Sequence, residues 1–225
     1  MNGTLYGVGV GPGNKKFLTL EAVEILQKAD VIAIPESGGE AMALKTVRDY
    51  IGDKELLACP MPMTRDQAVL KEAHLASADK IASRLDQGKD VAFITIGDPV
   101  IYSTYIYLHR ILREKGYTAR IVSGVPSFCA VAAALNISLC DGGQPLLIIP
   151  ASYDKLGELL PVEWNKVLMK SGKSLEEVKE KLRGSGLSGK ASMVEYCSLE
   201  NERIFTDLEL VDENMSYFST IVVKE

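Results

Sequence analysis

Three short stretches of the chain carry residue types in an order that could do chemistry. Residues 7–13 read GVGVGPG, residues 97–99 read GDP, and residues 124–128 read GVPSF. Closely spaced glycines let a backbone approach a ligand, so the first stretch invites comparison with nucleotide-binding loops. A dinucleotide loop needs G-x-G-x-x-G, whose third glycine lets helix and strand pack closely. Counting from Gly7 puts Pro12 in that place, and counting from Gly9 puts Asn14 there. Glu36 stands near the end of the second expected strand, where a ribose-binding acid would lie, so a nicotinamide-dinucleotide reading stays open. A phosphate-binding P-loop does not: Gly172-Lys173-Ser174 would need a glycine where Val167 stands. Pro12 has no amide hydrogen and a fixed φ, which suits a shaped rim better than a phosphate cradle. The plain alternative for the stretch is a tight strand-to-helix turn.

Asp98 follows a continuous apolar run and precedes proline, which places a carboxylate rigidly at a strand end. It either caps the next helix or accepts hydrogen bonds from the hydroxyls or ammonium of a ligand. Tyr102 and Tyr105, three apart, are expected on one helix face, with Tyr107 pointing elsewhere. Arg65 and Asp66 lie in the loop PMPMTRD after another strand end. His74 and His109 have no partner at metal-ligand spacing and read as packing or surface residues. Cys59, Cys129, Cys140 and Cys197 form no close pair, so neither a metal site nor a disulfide scaffold is expected, only reduced thiols.

The elements that must position these residues follow from hydrophobic period. Stretches at 5–10, 30–35, 55–59, 91–96 and 118–122 read as strands. They alternate with helical patterns at 19–29, 41–51, 67–87, 103–115 and 128–135. Such alternation indicates a parallel sheet covered by helices. Ligands of such sheets bind outside the carboxyl ends of the strands, where all three stretches stand. The turn-like DGGQP at 141–145 separates a first domain, 1–141, from a second, 145–225. There, strand and helix alternate twice, at 146–150, 155–160, 166–170 and 175–182. Three strand candidates then follow in a row, at 191–197, 203–207 and 217–223. Consecutive strands with short connections pair antiparallel, so the second sheet should be mixed. The charged stretch 173–183 reads as a solvated helix.

Composition narrows the class. In 225 residues, 47% hydrophobic and 24% charged describe an ordinary globular protein. The net charge of −5 argues against nucleic-acid binding, which draws on a basic surface. No apolar run reaches the roughly 20 residues of a membrane span, and no leader pattern precedes the first strand. The expectation is a cytoplasmic protein.

Together the motifs resemble the tetrapyrrole methyltransferase family, whose members modify uroporphyrinogen and precorrins. The resemblance rests on GVGVGPG followed by LTLEAVEILQKADVI, on the strand-end GDP, and on SGVPSF opening a helix. VLMK at 167–170 and FSTIVV at 218–223 extend it over essentially the whole chain. IGDPVIYSTYIYL, with PMPMTRD before it, looks most like the subgroup that methylates precorrin-2 at carbon 20. The resemblance implies an α/β fold of two domains, a parallel-sheet and a mixed-sheet one, with the site in the cleft between them. It also implies S-adenosylmethionine as methyl donor, a tetrapyrrole substrate in cobalamin biosynthesis, and a homodimer. Carried over residue by residue, the donor-binding set is Pro12, Ile96, Gly97, Asp98, Ile101, Ser127, Phe128, Met169 and Cys197. Ile96 stands where relatives have glycine. Cys197 replaces a small residue and is carried over for its backbone. Asn14 replaces an acid found after GPG in many relatives. No catalytic base transfers onto IPES at 34–37, which leaves Glu36, Tyr102 or water to accept the proton released on methylation. The substrate's carboxylates need local positive charge, for which Arg65 leads, ahead of Lys15 and Lys16. Alternatives within the family are another precorrin position or a non-tetrapyrrole target such as diphthine or ribosomal RNA. Outside it stand a nucleotide-dependent oxidoreductase and a donor-binding module without turnover.

Overall fold

The structure is a computed structural model that describes residues 1–36, 40–171, 175–211 and 215–225. The centre of the turn expected at 36–40, and the Gly172-Lys173-Ser174 stretch, lie outside the described residues. The chain forms two compact units, Met1–Pro126 and Ser127–Glu225.

The first unit is built on five parallel strands, β1 (Leu5–Gly9), β2 (Val31–Glu36), β3 (Glu55–Pro60), β4 (Val91–Thr95) and β5 (Ala119–Val122), in the order β3-β2-β4-β1-β5. Helices α1 (Leu20–Lys28), α2 (Glu40–Ile51), α3 (Gln67–Leu85) and α4 (Tyr105–Glu114) connect them. A parallel sheet covered on both faces needs apolar residues at every position, which is why β4 reads VAFIT and is buried throughout. Its pleat then sorts the side chains. Val31, Ala33, Val91 and Phe93 join α3 and α4 in one core layer, through Ala78, Ile81, Tyr105 and Leu108. Ile32, Ile34, Ala92 and Ile94 join α1 and α2 in the other, through Ala22, Leu26, Val47 and Ile51. The helix starts are set locally. Thr19 accepts a hydrogen bond from the Ala22 amide at 3.1 Å, and Asp66 accepts from those of Ala68 and Val69 at 2.9 and 3.3 Å.

Strand order fixes where a ligand can sit. β1 and β4 are neighbours, yet the chain leaves β1 toward β2 on one side and β4 toward β5 on the other. Their carboxyl ends therefore form a topological switch point, the usual binding place of open α/β sheets. The GVGVGPG stretch runs out of β1 there, and GDP follows β4 there.

The second unit opens with α5 (Ser127–Ala134), so this helix groups with the second sheet, and the turn at 141–145 lies inside that unit. β6 (Leu146–Pro150), α6 (Leu156–Leu159), β7 (Asn165–Met169), α7 (Leu175–Gly184), β8 (Ala191–Glu195), β9 (Arg203–Phe205) and β10 (Ser219–Val223) follow. The sheet order is β6-β7-β10-β8-β9, with β6 and β7 parallel and the remaining pairs antiparallel. The mixed sheet expected from three consecutive strand candidates is present. No helix among the described residues is long and apolar enough to cross a membrane.

Candidate functional site

At the switch point three loops meet backbone to backbone. The Val10 amide donates to the Thr95 carbonyl at 2.9 Å, extending β1 beside β4. Gly11 and Gly97 then exchange two hydrogen bonds, 3.2 and 2.8 Å, as an isolated antiparallel bridge. Both have positive φ, 70° and 74°, which glycine adopts at no steric cost. Gly9 and Gly124 approach still more closely. A Cβ on Gly124 would lie 2.2 Å from the Gly97 carbonyl oxygen and 2.7 Å from the Gly9 carbonyl carbon.

Asp98 sits in this junction and is 5% exposed. Its Oδ1 accepts from the Val100 amide at 2.8 Å and its Oδ2 from the Gly124 amide at 2.9 Å. It does not cap the next helix, since the residue at the start of α4 is Thr104. Pro12 and Gly97 are buried, while Ile96 and Ile101 are half-buried. Asn14, standing for the relatives' acid, accepts from the Lys16 amide at 3.0 Å and so shapes the exit of the glycine loop. Lys15 is drawn to Asp49 at 2.8 Å, which holds its ammonium above the usual lysine range.

The tyrosines divide differently from the sequence expectation. Tyr102 lies before α4 with φ at 49° and is 45% exposed, so it shares no helix face with Tyr105. The reason is local. The backbone turns at Tyr102 so that Ser103 Oγ meets Thr95 Oγ1 at 3.0 Å and accepts from the Tyr105 amide at 3.3 Å. Tyr105 is wholly buried, its hydroxyl donating to the Arg120 carbonyl at 2.7 Å. With that single proton committed, the 3.0 Å contact to His109 requires Nδ1–H to be the donor. Tyr107 stacks on His74 with ring centres 4.7 Å apart, the packing role expected of both. Glu36 ends β2 and is exposed, and Arg65 is exposed in the loop beyond the neighbouring β3. Both stand at the carboxyl edge of the first sheet.

In the second unit, Met169 ends β7, and Cys197 lies two residues past β8. Ser127 and Phe128 open α5. Because β10 runs antiparallel, its first residues, Ser219 and Thr220, pair with Glu195 and Met169 at the end of the second sheet where β7 and β8 finish. Three non-glycine residues there have left-handed backbones, Lys170 at 62°, Tyr196 at 49° and Ser198 at 71°. Each such residue costs about 1–3 kcal/mol and persists only where its surroundings over-determine it. Those surroundings are visible. The Phe218 carbonyl accepts from the Tyr196 amide at 3.1 Å, and the Glu202 carboxylate from the Ser198 amide at 2.6 Å. Glu195, 1% exposed, accepts from Arg203 Nε at 2.7 Å and from the Ser216 amide at 2.5 Å. Lys170 lies over the Tyr217 ring, 5.3 Å from its centre.

Burial pushes the Cys197 thiol up to about 12, with Glu202 adding to the shift. It therefore stays protonated at neutral pH and serves as neither nucleophile nor base. Cys59 is likewise raised to about 12 by burial. Native alkylation with iodoacetamide should label the exposed Cys129 and Cys140 and spare Cys59 and Cys197. Rapid labelling of Cys197, seen by peptide mass spectrometry, would contradict this placement. Among the described residues, no group of His, Cys, Asp and Glu could hold a metal ion.

Sequence reasoning had singled out Pro12, Gly97, Asp98 and Ile101, and the structure brings them to one strand-end junction. Gly9 and Gly124 lie within the glycine-bearing stretches but had no role of their own in the sequence, and Glu195 was not marked at all. A glycine two residues past a strand end was the available signal for Gly124, whereas nothing local marked Glu195.

Comparison with known proteins gives this edge a family. The tetrapyrrole (corrin/porphyrin) methylase profile matches residues 4–211. The chain belongs to this family. A probable cobalt-precorrin-2 C(20)-methyltransferase of Methanocaldococcus jannaschii is 36% identical over 98% of this chain and 95% of its own length. The cobalt-precorrin-2 C(20)-methyltransferase of Salmonella typhimurium is 34% identical over 100% and 98%. Among solved structures, a cobalt precorrin-4 methyltransferase superposes with a TM-score of 0.79 at 21% identity, covering 98% of this chain and 94% of that one. Uroporphyrin-III C-methyltransferase from Thermus thermophilus, solved with S-adenosylhomocysteine, gives 0.76 at 20% identity over 99% and 98%. The two-domain tetrapyrrole methylase fold of these structures is the fold of this chain.

Proposed function

We propose that the chain transfers a methyl group from S-adenosylmethionine to carbon 20 of precorrin-2 or its cobalt-loaded form, in cobalamin biosynthesis. The observation that carries this reading is the end-to-end likeness to two methyltransferases named for that reaction. The strand-end residues suit the donor. Gly11 and Gly97 bring bare backbone to the sheet edge at positive φ, and Ile96 and Ile101 add apolar surface for a flat base. In this reading the donor-binding residues of the first unit are Pro12, Ile96, Gly97 and Ile101, on the loops that meet at Asp98. Those of the second are Ser127, Phe128, Met169 and Cys197, the last through its backbone.

When bound, the donor supplies a methyl group on a positively charged sulfur, a leaving group that needs no activation. The protein's work is then alignment and water exclusion, and alignment of reactants contributes roughly 7–11 kcal/mol relative to free encounter. Burial holds the Tyr102 phenol above its usual range, so at neutral pH it is protonated and a poor base. Of the two candidate side chains, that leaves Glu36 for the departing proton, in competition with water.

Arg65, exposed in the loop beyond β3, is the residue we assign to a substrate carboxylate. A charge-assisted hydrogen bond contributes about 1.5–3 kcal/mol, so Arg65→Ala should raise the apparent substrate constant roughly tenfold or more. Affinity for S-adenosylhomocysteine should not change. Equal weakening of both ligands, measured by calorimetry and initial rates, would remove Arg65 from the substrate site.

The reading is tested by supplying methyl-labelled donor with metal-free and cobalt-loaded precorrin-2 and locating the label by carbon NMR. A label at carbon 20 supports it, and a label elsewhere moves the chain to another branch of the family. Binding of S-adenosylhomocysteine without transfer would mark a regulatory module, and binding of NAD in its place an oxidoreductase. The homodimer and the cytoplasmic location implied by the family belong to the same proposal. Sedimentation equilibrium tests the first.

A further inference from the structure

We infer that Asp98 is a positioning residue, a clamp that locks the loops after β1, β4 and β5 into one rigid rim, rather than a group that touches the methyl donor. The inference rests on the donor-binding reading above. Its physical basis is the use already made of the carboxylate. Each oxygen receives a backbone amide, that of Val100 within its own loop at 2.8 Å and that of Gly124 in the next at 2.9 Å. With 5% of the residue exposed, little of the carboxylate is left for a ligand to reach.

The second bond is the informative one, because it ties β4's loop to β5's across 26 residues of sequence. The first loop is held independently, by the paired hydrogen bonds between Gly11 and Gly97. Gly9, Gly97 and Gly124 then fill the space between the three loops with backbone alone. A Cβ on Gly9 would fall 2.6 Å from the Gly124 nitrogen and 2.7 Å from the Gly97 carbonyl oxygen. Real Cβ atoms do not come that close to a backbone, so the loops have one relative placement, and the Asp98–Gly124 bond holds it. An amide donating to an ionised carboxylate forms a stronger bond than to a neutral oxygen, and a charge buried without such partners would be costly. Carboxylate and glycine are therefore matched.

Asp98→Asn separates a clamp from a contact. Asparagine keeps the shape and one oxygen for Val100, but turns its amide nitrogen toward the Gly124 N–H, donor against donor. A clamp predicts two results together. In the ligand-free protein, amide exchange at Val100 and Gly124 should accelerate at least tenfold, with the sheet unchanged. Affinities for S-adenosylhomocysteine, adenosine and 2′,3′-dideoxyadenosine should all fall by the same factor, about tenfold. A penalty that disappears when the amino-acid chain or the ribose hydroxyls are removed would mean direct contact and overturn the inference. So would lost affinity with unchanged exchange, or faster exchange with unchanged affinity. Should the variant not fold, the wild type still decides: fast exchange of the Gly124 amide without ligand overturns the clamp. Failure of the wild type to bind S-adenosylhomocysteine would sink the donor reading instead, leaving the exchange result to judge the loops.

Discussion

Gly7→Ala is expected to destabilise the protein by about 3 kcal/mol, because β1 has no room for a methyl group at that point. A Cβ there would lie 2.1–2.5 Å from three ring atoms of Tyr105. Neither partner can yield cheaply. β1 is an interior strand, with Gly7 in register with Phe93 on one side and Ile121 on the other. The Tyr105 ring is fully buried, packs against Phe93 with ring centres 5.8 Å apart, and is anchored by its hydroxyl at the Arg120 carbonyl. Overpacking of this kind costs typically 1–3 kcal/mol, and the anchored ring puts this site at the upper end. For a chain of this size the melting temperature should fall roughly 6–12 °C. Tyr105→Leu removes the ring, so the double variant should be more stable than the sum of the single losses by about 1 kcal/mol or more. A Gly7→Ala melt within a degree or two of wild type would show that β1 or α4 shifts freely, and would weaken the case for a rigid rim one turn further along.

This glycine shows where sequence reading ends. Residues 7–13 were legible as a strand running into a glycine-rich loop whose spacing departs from the dinucleotide pattern. The reasons for the individual glycines were not legible. Gly7 answers to Tyr105, a side chain on another element. Gly9 answers to Gly124, which no spacing rule connects to it. Strands were readable because a parallel sheet covered on both faces demands unbroken apolar runs. The mixed second sheet was readable because three strands in a row must turn back on one another. Tyr102 misled because YSTYIYL carries helical spacing through its whole length. The backbone nevertheless turns at Tyr102, where bonding Ser103 to Thr95 outweighs one more helical residue. Asp98 was recognisable as a site residue from its place after β4, but its partner Gly124 is contributed by the fold, so the choice between cap, contact and clamp could not be made from sequence.

The same separation between motif and support governs the second unit, where Glu195→Ala should have the other large effect. Cys197 was found through its resemblance to a family position, yet the turn that presents it has left-handed residues on both sides, Tyr196 and Ser198. Glu195 borders that turn and is buried, with Arg203 and the Ser216 amide as donors. Removing its carboxylate leaves the Ser216 amide unpaired, a loss of about 1–3 kcal/mol. The vacated space and the loosened strained turn add to this. Arg203 contributes less, since its half-exposed side chain can turn to water. A total of about 3 kcal/mol is expected, read as a fall in melting temperature of roughly 6–12 °C. Amide exchange should accelerate over residues 196–202. Glu195→Gln keeps one accepting oxygen and should recover part of the loss, while Arg203→Ala should cost less in the Glu195→Ala background than in wild type, because the two share one interaction. If Glu195→Ala melts as wild type does, the turn around Cys197 is held by Phe218 and Glu202 alone. Strict additivity with Arg203→Ala would show that the pair contributes nothing to holding it.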